Sequence, residues 1–194
     1  MAILVERESL TTKSRHVSPS YVDKDGNQYL TSSDKPFPVL DVNHLRLHEA
    51  RAYYTYKLYP KSAPLGVSAN LDIALAWPSG VIPHALFTYQ CAGDSEFYIY
   101  ENPTTSGGTT LTIHRRNRFV TTTSSGAAVL NPTVSSLGTE IFGEFIASGQ
   151  GGTGSGGSGI TQEFILKPLT TYLFRITNVN SQAHAAELML DWYE

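Results

Sequence analysis

The residues of this chain that could do chemistry are its histidines, its acids and one basic cluster. The six histidines, His16, His44, His48, His84, His114 and His184, are scattered, and no pair has the spacing of a zinc motif. His44 and His48 stand four apart, which would align them on a helix. In the extended segment expected there they lie ~13 Å apart, too far to share an ion. Asp23-Lys24-Asp25-Gly26-Asn27 opens like a calcium loop but lacks the later oxygen ligands and the closing Glu, so it reads as a turn. The glycine-rich stretch 148–159 is not followed by the Lys-Ser/Thr of a phosphate loop, and no G-x-S-x-G elbow occurs. Asp72, Glu96, Glu101, Glu140 and Glu144 could in principle pair for glycoside hydrolysis, but acids on a strand face are ordinarily solvated. The expectation is therefore a protein that is not an enzyme, with no cofactor and no metal.

The concentrated basic cluster is His114-Arg115-Arg116-Asn117-Arg118, placed just after a strand pattern. Guanidinium forks grip carboxylates bidentately and are enriched at interfaces, which suits an acidic protein partner. Nucleic acid is a second reading, poorly supported in a chain of net charge −3. A structural network of Arg–carboxylate pairs at a loop base is the third. Arg115, Arg116 and Arg118, with Tyr21, Tyr29 and Phe37 nearer the N-terminus, are the candidate partner-contact residues. Tyrosines recur at 53, 54, 56, 59, 89, 98 and 100. Such rings fill cores, build subunit interfaces or make platforms on which sugars stack.

Few charges and abundant Thr, Ser, Gly and Tyr favour an all-β body with many turns. At 194 residues the chain can bury one good-sized core. Its single cysteine, Cys91, sits in an apolar run and reads as a small core residue, so no disulfide staples the fold. No stretch has the length of a membrane span. The first residues lack the basic start and apolar run of a signal peptide, so synthesis in the cytoplasm without an export signal is expected.

Residues 1–44 carry short apolar groups among polar ones and read as an extended N-terminal arm. One short hairpin is expected there, Tyr21-Val22 against Gln28-Tyr29-Leu30 across an Asp25-Gly26 turn. Pro36-Phe37-Pro38 enforces an extended path. Residues 45–194 read as the body, with roughly nine or ten short strands. Leu71, Ile73, Leu75 and Trp77 form the clearest alternation, joined by Tyr54, Tyr56 and Leu58, and by segments near 85–90, 96–101, 110–114, 127–134, 140–147 and 163–167. At the end of the chain, Tyr172, Phe174 and Ile176 share one face, as do Ala186, Leu188, Leu190 and Trp192, and Asn178 to Gln182 supplies turn chemistry between them. These two strands are expected to form a closing hairpin. The loop 148–159 interrupts the body, with its flanking strands expected to pair. The fold expected is a jelly-roll-like antiparallel β-sandwich.

Several phrases carry a family resemblance: Leu47-His48-Glu49, Tyr100-Glu101-Asn102-Pro103, GGTTLT at 107–112 leading into Arg115 to Arg118, Asn131-Pro132-Thr133-Val134, Leu137-Gly138-Thr139-Glu140, Glu163 to Pro168, Thr171 to Asn178, and the final Asp191-Trp192-Tyr193-Glu194. As an ensemble over 47–194 they resemble a family of small virion structural proteins of tailed bacteriophages and prophages. The resemblance implies a capsid decoration, or cement, protein that binds the major capsid protein lattice on the outer surface of the virion as a homotrimer. It implies contact with neither nucleic acid nor membrane, and brings no catalytic residues with it. The alternative from the residues is a receptor- or glycan-binding module of a phage fibre, motivated by the tyrosines and the glycine loop.

Overall fold

The structure, a computed structural model, describes residues 3–8, 15–22, 28–30, 46–147, 156–159 and 163–194. The chain divides into two compact units, Met1–Leu45 and Arg46–Glu194. The first holds an antiparallel sheet of order β1-β2-β3, formed by β1 (Ile3–Glu8), β2 (Arg15–Val22) and β3 (Gln28–Leu30). Tyr21 lies opposite Tyr29 in the β2–β3 pairing, where a hairpin is expected, and the turn residues 23–27 lie outside the described residues. The pairing of β1 with β2, Ile3 opposite Ser20 through Glu8 opposite Arg15, is not legible as periodicity. Backbone hydrogen bonds between distant segments leave no local signature. Phe37 and His44 lie outside the described residues.

The second unit is an antiparallel sandwich. Its strands are β4 (Ala52–Tyr59), β5 (Asn70–Ala76), β6 (His84–Cys91), β7 (Ser95–Glu101), β8 (Thr104–Ser106), β9 (Thr109–Thr110), β10 (His114–Arg115), β11 (Ala127–Leu130), β12 (Thr133–Ser136), β13 (Thr139–Ile146), β14 (Gly156–Gly159), β15 (Phe164–Ile165), β16 (Thr171–Asn178) and β17 (Ala186–Tyr193). One sheet has the order β10-β4-β17-β6-β14, with β15 also on β6; the other runs β13-β7-β16-β5-β11-β9. A two-stranded ribbon pairs β8 with β12.

The core lies between the two sheets and follows the period-2 pattern. Leu71, Ile73, Leu75 and Trp77 meet Tyr172, Phe174 and Ile176 from one sheet, and Phe87, Tyr89, Leu188, Leu190 and Trp192 come from the other. Phe87, Phe97, Phe142, Phe164 and Phe174 form a connected aromatic seam with Tyr89, whose ring stacks on Phe97 at 3.9 Å. Cys91 is buried in this core as a free thiol. A satellite cluster of Ala74, Tyr100 and Leu173 lies on the other face of the second sheet, with Tyr98, Val129, Val134 and Leu137 packed against it. That cover explains why β5 is buried on both faces in its middle.

Three expectations are corrected. β16 and β17 are not a hairpin: they lie in different sheets. Their apolar faces meet across the core, which buries both, and the connection between them turns a corner of the sandwich. Asn178 locks that corner, donating from its buried amide to the carbonyls of Leu65, Gly66 and Gln182 at 3.2, 3.0 and 2.8 Å. The strands flanking 148–159 do not pair either: β13 joins β7 and β15 joins β6. Within that stretch, Gly156–Gly159 pairs with Thr88 to Cys91 as β14, since a backbone ladder needs no side chains. The segments near 110–114 and 127–134 each break in two; the second breaks where Asn131 takes a φ of 45°, which Asn tolerates, before Pro132.

Alternation leaves open which face of β4 is buried, and the structure decides it. Tyr53 and Thr55 point inward, while Tyr56 and Leu58 are each 46% exposed. The register decides this, because Tyr53 and Thr55 lie opposite the inward-facing Trp192 and Leu190 of β17. Thr55 is tolerated inside because its hydroxyl donates to the Thr112 carbonyl at 3.0 Å.

Candidate functional site

The phase of β4 sets Tyr54, Tyr56 and Leu58 on the outer face of the first sheet. Pairing then builds rows across that face. His114, Tyr54, Asp191 and Leu86 make one; Tyr56, Met189 and Thr88 make the next; Leu58, Glu187 and Gln90 make the third. The Tyr54 and Tyr56 rings stack with centroids 6.4 Å apart and planes 22° apart. His114 leans against both, at 5.1 and 6.2 Å.

Arg116 closes the end of this strip. Its Nε donates to Asp191 Oδ1 at 2.7 Å, its Nη2 donates to the same oxygen, and its guanidinium carbon lies 5.1 Å over the Tyr54 ring. Burial pushes the Asp191 carboxyl above its ordinary value, and the Arg116 hydrogen bonds and charge oppose that push. The arginine is held in place, so the strip carries a fixed polar end beside exposed rings.

The structure separates the three arginines of the basic cluster. Arg115, paired with Tyr53, follows it inward and is 7% exposed, 5.6 Å over the Tyr53 ring. Its Nε, Nη1 and Nη2 are buried without a hydrogen-bond partner among the described residues. Arg118 is exposed on the loop after β10, next to Phe119, which is fully exposed. Of the readings for this cluster, Arg116 is an Arg–carboxylate pair and Arg115 is a buried cation over a ring. The side chains of Tyr21 and Tyr29 lie outside the description, and these residues are placed only as opposed positions of β2 and β3.

A second polar constellation was not foreseen from spacing, because its members come from distant segments. His84 Nδ1 and the Tyr193 hydroxyl both bond to Glu163 Oε1. The Tyr193 and His84 rings stack at 4.7 Å, and the Arg46 guanidinium carbon sits 3.4 Å from the Tyr193 ring centroid. The Tyr193 hydrogen bond, followed by the His84 bond and the Arg46 charge, holds the Glu163 carboxyl below its usual value despite burial. Burial, reinforced by Glu163, pushes the Tyr193 phenol up to about 12. The cluster fastens the helical turn at Arg46, the start of β6 and the end of β17 to one another, which is a structural role.

Three of the five acids considered for catalysis, Asp72, Glu101 and Glu144, are engaged elsewhere. Asp72 receives Arg175 Nε and Nη2 on its two oxygens at 2.7 and 2.6 Å. Glu101 receives Lys167 Nζ at 2.7 Å and the Tyr172 hydroxyl at 3.0 Å, and these hold its carboxyl below the ordinary range. Tyr89 donates to Glu144. Among the described residues, no group of three or more His, Cys, Asp or Glu side chains is placed to hold a metal ion. No family model matches the chain, and no curated protein or solved structure matches it.

Proposed function

We propose that the chain is a capsid decoration protein of a tailed bacteriophage, binding the outer surface of the major capsid protein lattice as a homotrimer and stabilising the head against the pressure of packaged DNA. Fold alone assigns no function; the family resemblance over 47–194 supplies the class, and strand order is the observation that supports it. Taken in chain order, β4, β5, β6, β7, β13, β14 with β15, β16 and β17 alternate between sheets except at β7 and β13, which pair within one sheet, so that the inner order is β4-β17-β6-β14 on one side and β5-β16-β7-β13 on the other. We read this interleaving as a jelly roll, an architecture used repeatedly in viral shells.

The reading has a physical logic. A lattice presents many equivalent sites together, so modest affinity per site is sufficient once a trimer engages several of them. The body suits repeated loading: its core is continuous and its chain crossings are tied by buried polar groups such as Asn178 and the Arg175–Asp72 pair. The protein acts as a non-enzymatic element of the virion, made in the host cytoplasm. Purified protein added to expanded shells that lack it tests the proposal. Saturable co-sedimentation with a raised temperature of shell disruption is expected. Shells that take up none of it, or take it up without a thermal gain, would remove the reading.

A further inference from the structure

We propose that the outer strip of the first sheet, centred on Tyr54 and Tyr56, binds a neutral oligosaccharide. Three observations point there. The Tyr54 and Tyr56 rings stand near-parallel on this face, centroids 6.4 Å and planes 22° apart, and Tyr56 is 46% exposed. An exposed aromatic platform offers the C–H faces of a pyranose the apolar, polarisable surface they pack on. Next, hydrogen-bonding capacity surrounds the rings unspent. The Tyr54 and Tyr56 hydroxyls and the His114 ring nitrogens make no hydrogen bond among the described residues, and Arg116 occupies only Oδ1 of Asp191. The third observation is fixity: Arg116 is held by Asp191 and by the Tyr54 ring, so the polar end of the platform is pre-organised and costs little ordering on binding.

The ligand class follows from the mixture. A protein–protein interface core is depleted in charged groups, whereas this strip interleaves rings with an ion pair and an imidazole within one pair of rows. A ligand must therefore present apolar faces and hydroxyls within the same small footprint, which a sugar ring does. Arg116 and Asp191 neutralise each other, and Glu187 in the third row adds a negative charge, which favours a neutral chain over an acidic one. Leu58, at the far end of the strip, extends the apolar track by one row.

The test is titration of the full chain with neutral cello-, malto-, manno- and chito-oligosaccharides, followed by calorimetry and by NMR shifts. At least one series is expected to bind, with Kd rising about tenfold in Tyr56→Ala and by less in Tyr56→Phe, which keeps the ring and loses only the hydroxyl. Tyr56 makes no hydrogen bond among the described residues and packs on the Tyr54 and His114 rings, so a cooperative unfolding transition with a small fall in melting temperature checks that the variant is folded. Absence of binding by every series at millimolar sugar overturns the proposal. So does a Tyr56→Ala chain whose sedimentation shows a lost oligomer, because the strip would then be an interface between copies. Shell binding is read separately, and Tyr56→Ala is expected to retain it.

Discussion

Arg116 donates to Asp191 while lying over Tyr54, and its sequence neighbour Arg115 turns to the opposite face of the sheet and sits over Tyr53 with its three guanidinium nitrogens unpartnered among the described residues. Two adjacent arginines thus have opposite energetics. A buried guanidinium without a carboxylate is a desolvation cost that the ring offsets only in part. Replacing Arg115 with methionine keeps the stem and removes the charge. Arg115→Met is expected to raise stability by about 1 kcal/mol or more in denaturant titration. A loss of that size would mean that the guanidinium has a partner.

Arg116→Ala acts on a pair whose arginine is 43% exposed and therefore screened, so a loss of no more than ~1 kcal/mol is expected. Its Asp191 partner is mostly buried, so the variant should also show the Asp191 carboxyl titrating at higher pH by NMR. An Asp191 carboxyl that does not move would show that Arg116 contributes nothing there.

The Arg175–Asp72 pair is different in kind, with both side chains mostly buried and two parallel hydrogen bonds. Arg175→Ala leaves the Asp72 carboxylate alone in a low-dielectric setting and is expected to cost about 3–5 kcal/mol. The double change Asp72→Leu with Arg175→Met should recover most of it. Thermal unfolding of the parent chain, the single variant and the double variant checks both statements.

Asn178 holds the corner between the sheets through three donated bonds, and its Oδ1 accepts from the Asn180 backbone at 3.0 Å. Asn178→Ala removes these bonds, while the Leu65 and Gly66 carbonyls keep the His184 and Ala69 backbone donors, so a cost of about 1 kcal/mol is expected. Hydrogen exchange should quicken first at the Leu65–His184 bridge beside it.

The pH dependence has a definite sign. Glu101, Glu163 and Glu194 are held below the ordinary 4.5, Glu101 first by Lys167, Glu163 first by Tyr193, and Glu194 by Ser124, Ser125 and Trp192 against its burial. Depressed carboxyls contribute stability that is present above pH 4.5 and lost as pH falls through their folded values. Asp191 is raised and works the other way, so it partly masks that loss. Melting temperature should fall below pH 4.5, less steeply in Glu101→Gln and more steeply in Asp191→Asn.

Alternation named the core faces of β5, β16 and β17 because each strand repeats apolar residues at every second position, and Leu71, Phe174 and Leu188 are fully buried. It could not rank Tyr54 against Thr55, since tyrosine suits either face and a threonine hydroxyl can find a carbonyl inside. Only pairing with β17 sets that phase. The same limit hid the partition of β16 and β17 between sheets, because two amphipathic strands joined by a turn can lie side by side or face to face. The outer strip was therefore visible as frequent tyrosine but not as a place. The His84–Glu163–Tyr193 cluster gave no signal, since its members are joined by topology rather than spacing.

The central claim is decoration of a shell, and imaging of intact particles with and without this protein tests it most directly. The account predicts density on the outer surface of the head, repeated at equivalent junctions between capsomers and absent from particles that lack the protein. Density confined to the tail or its fibres, or heads that look identical with and without the protein, would contradict it.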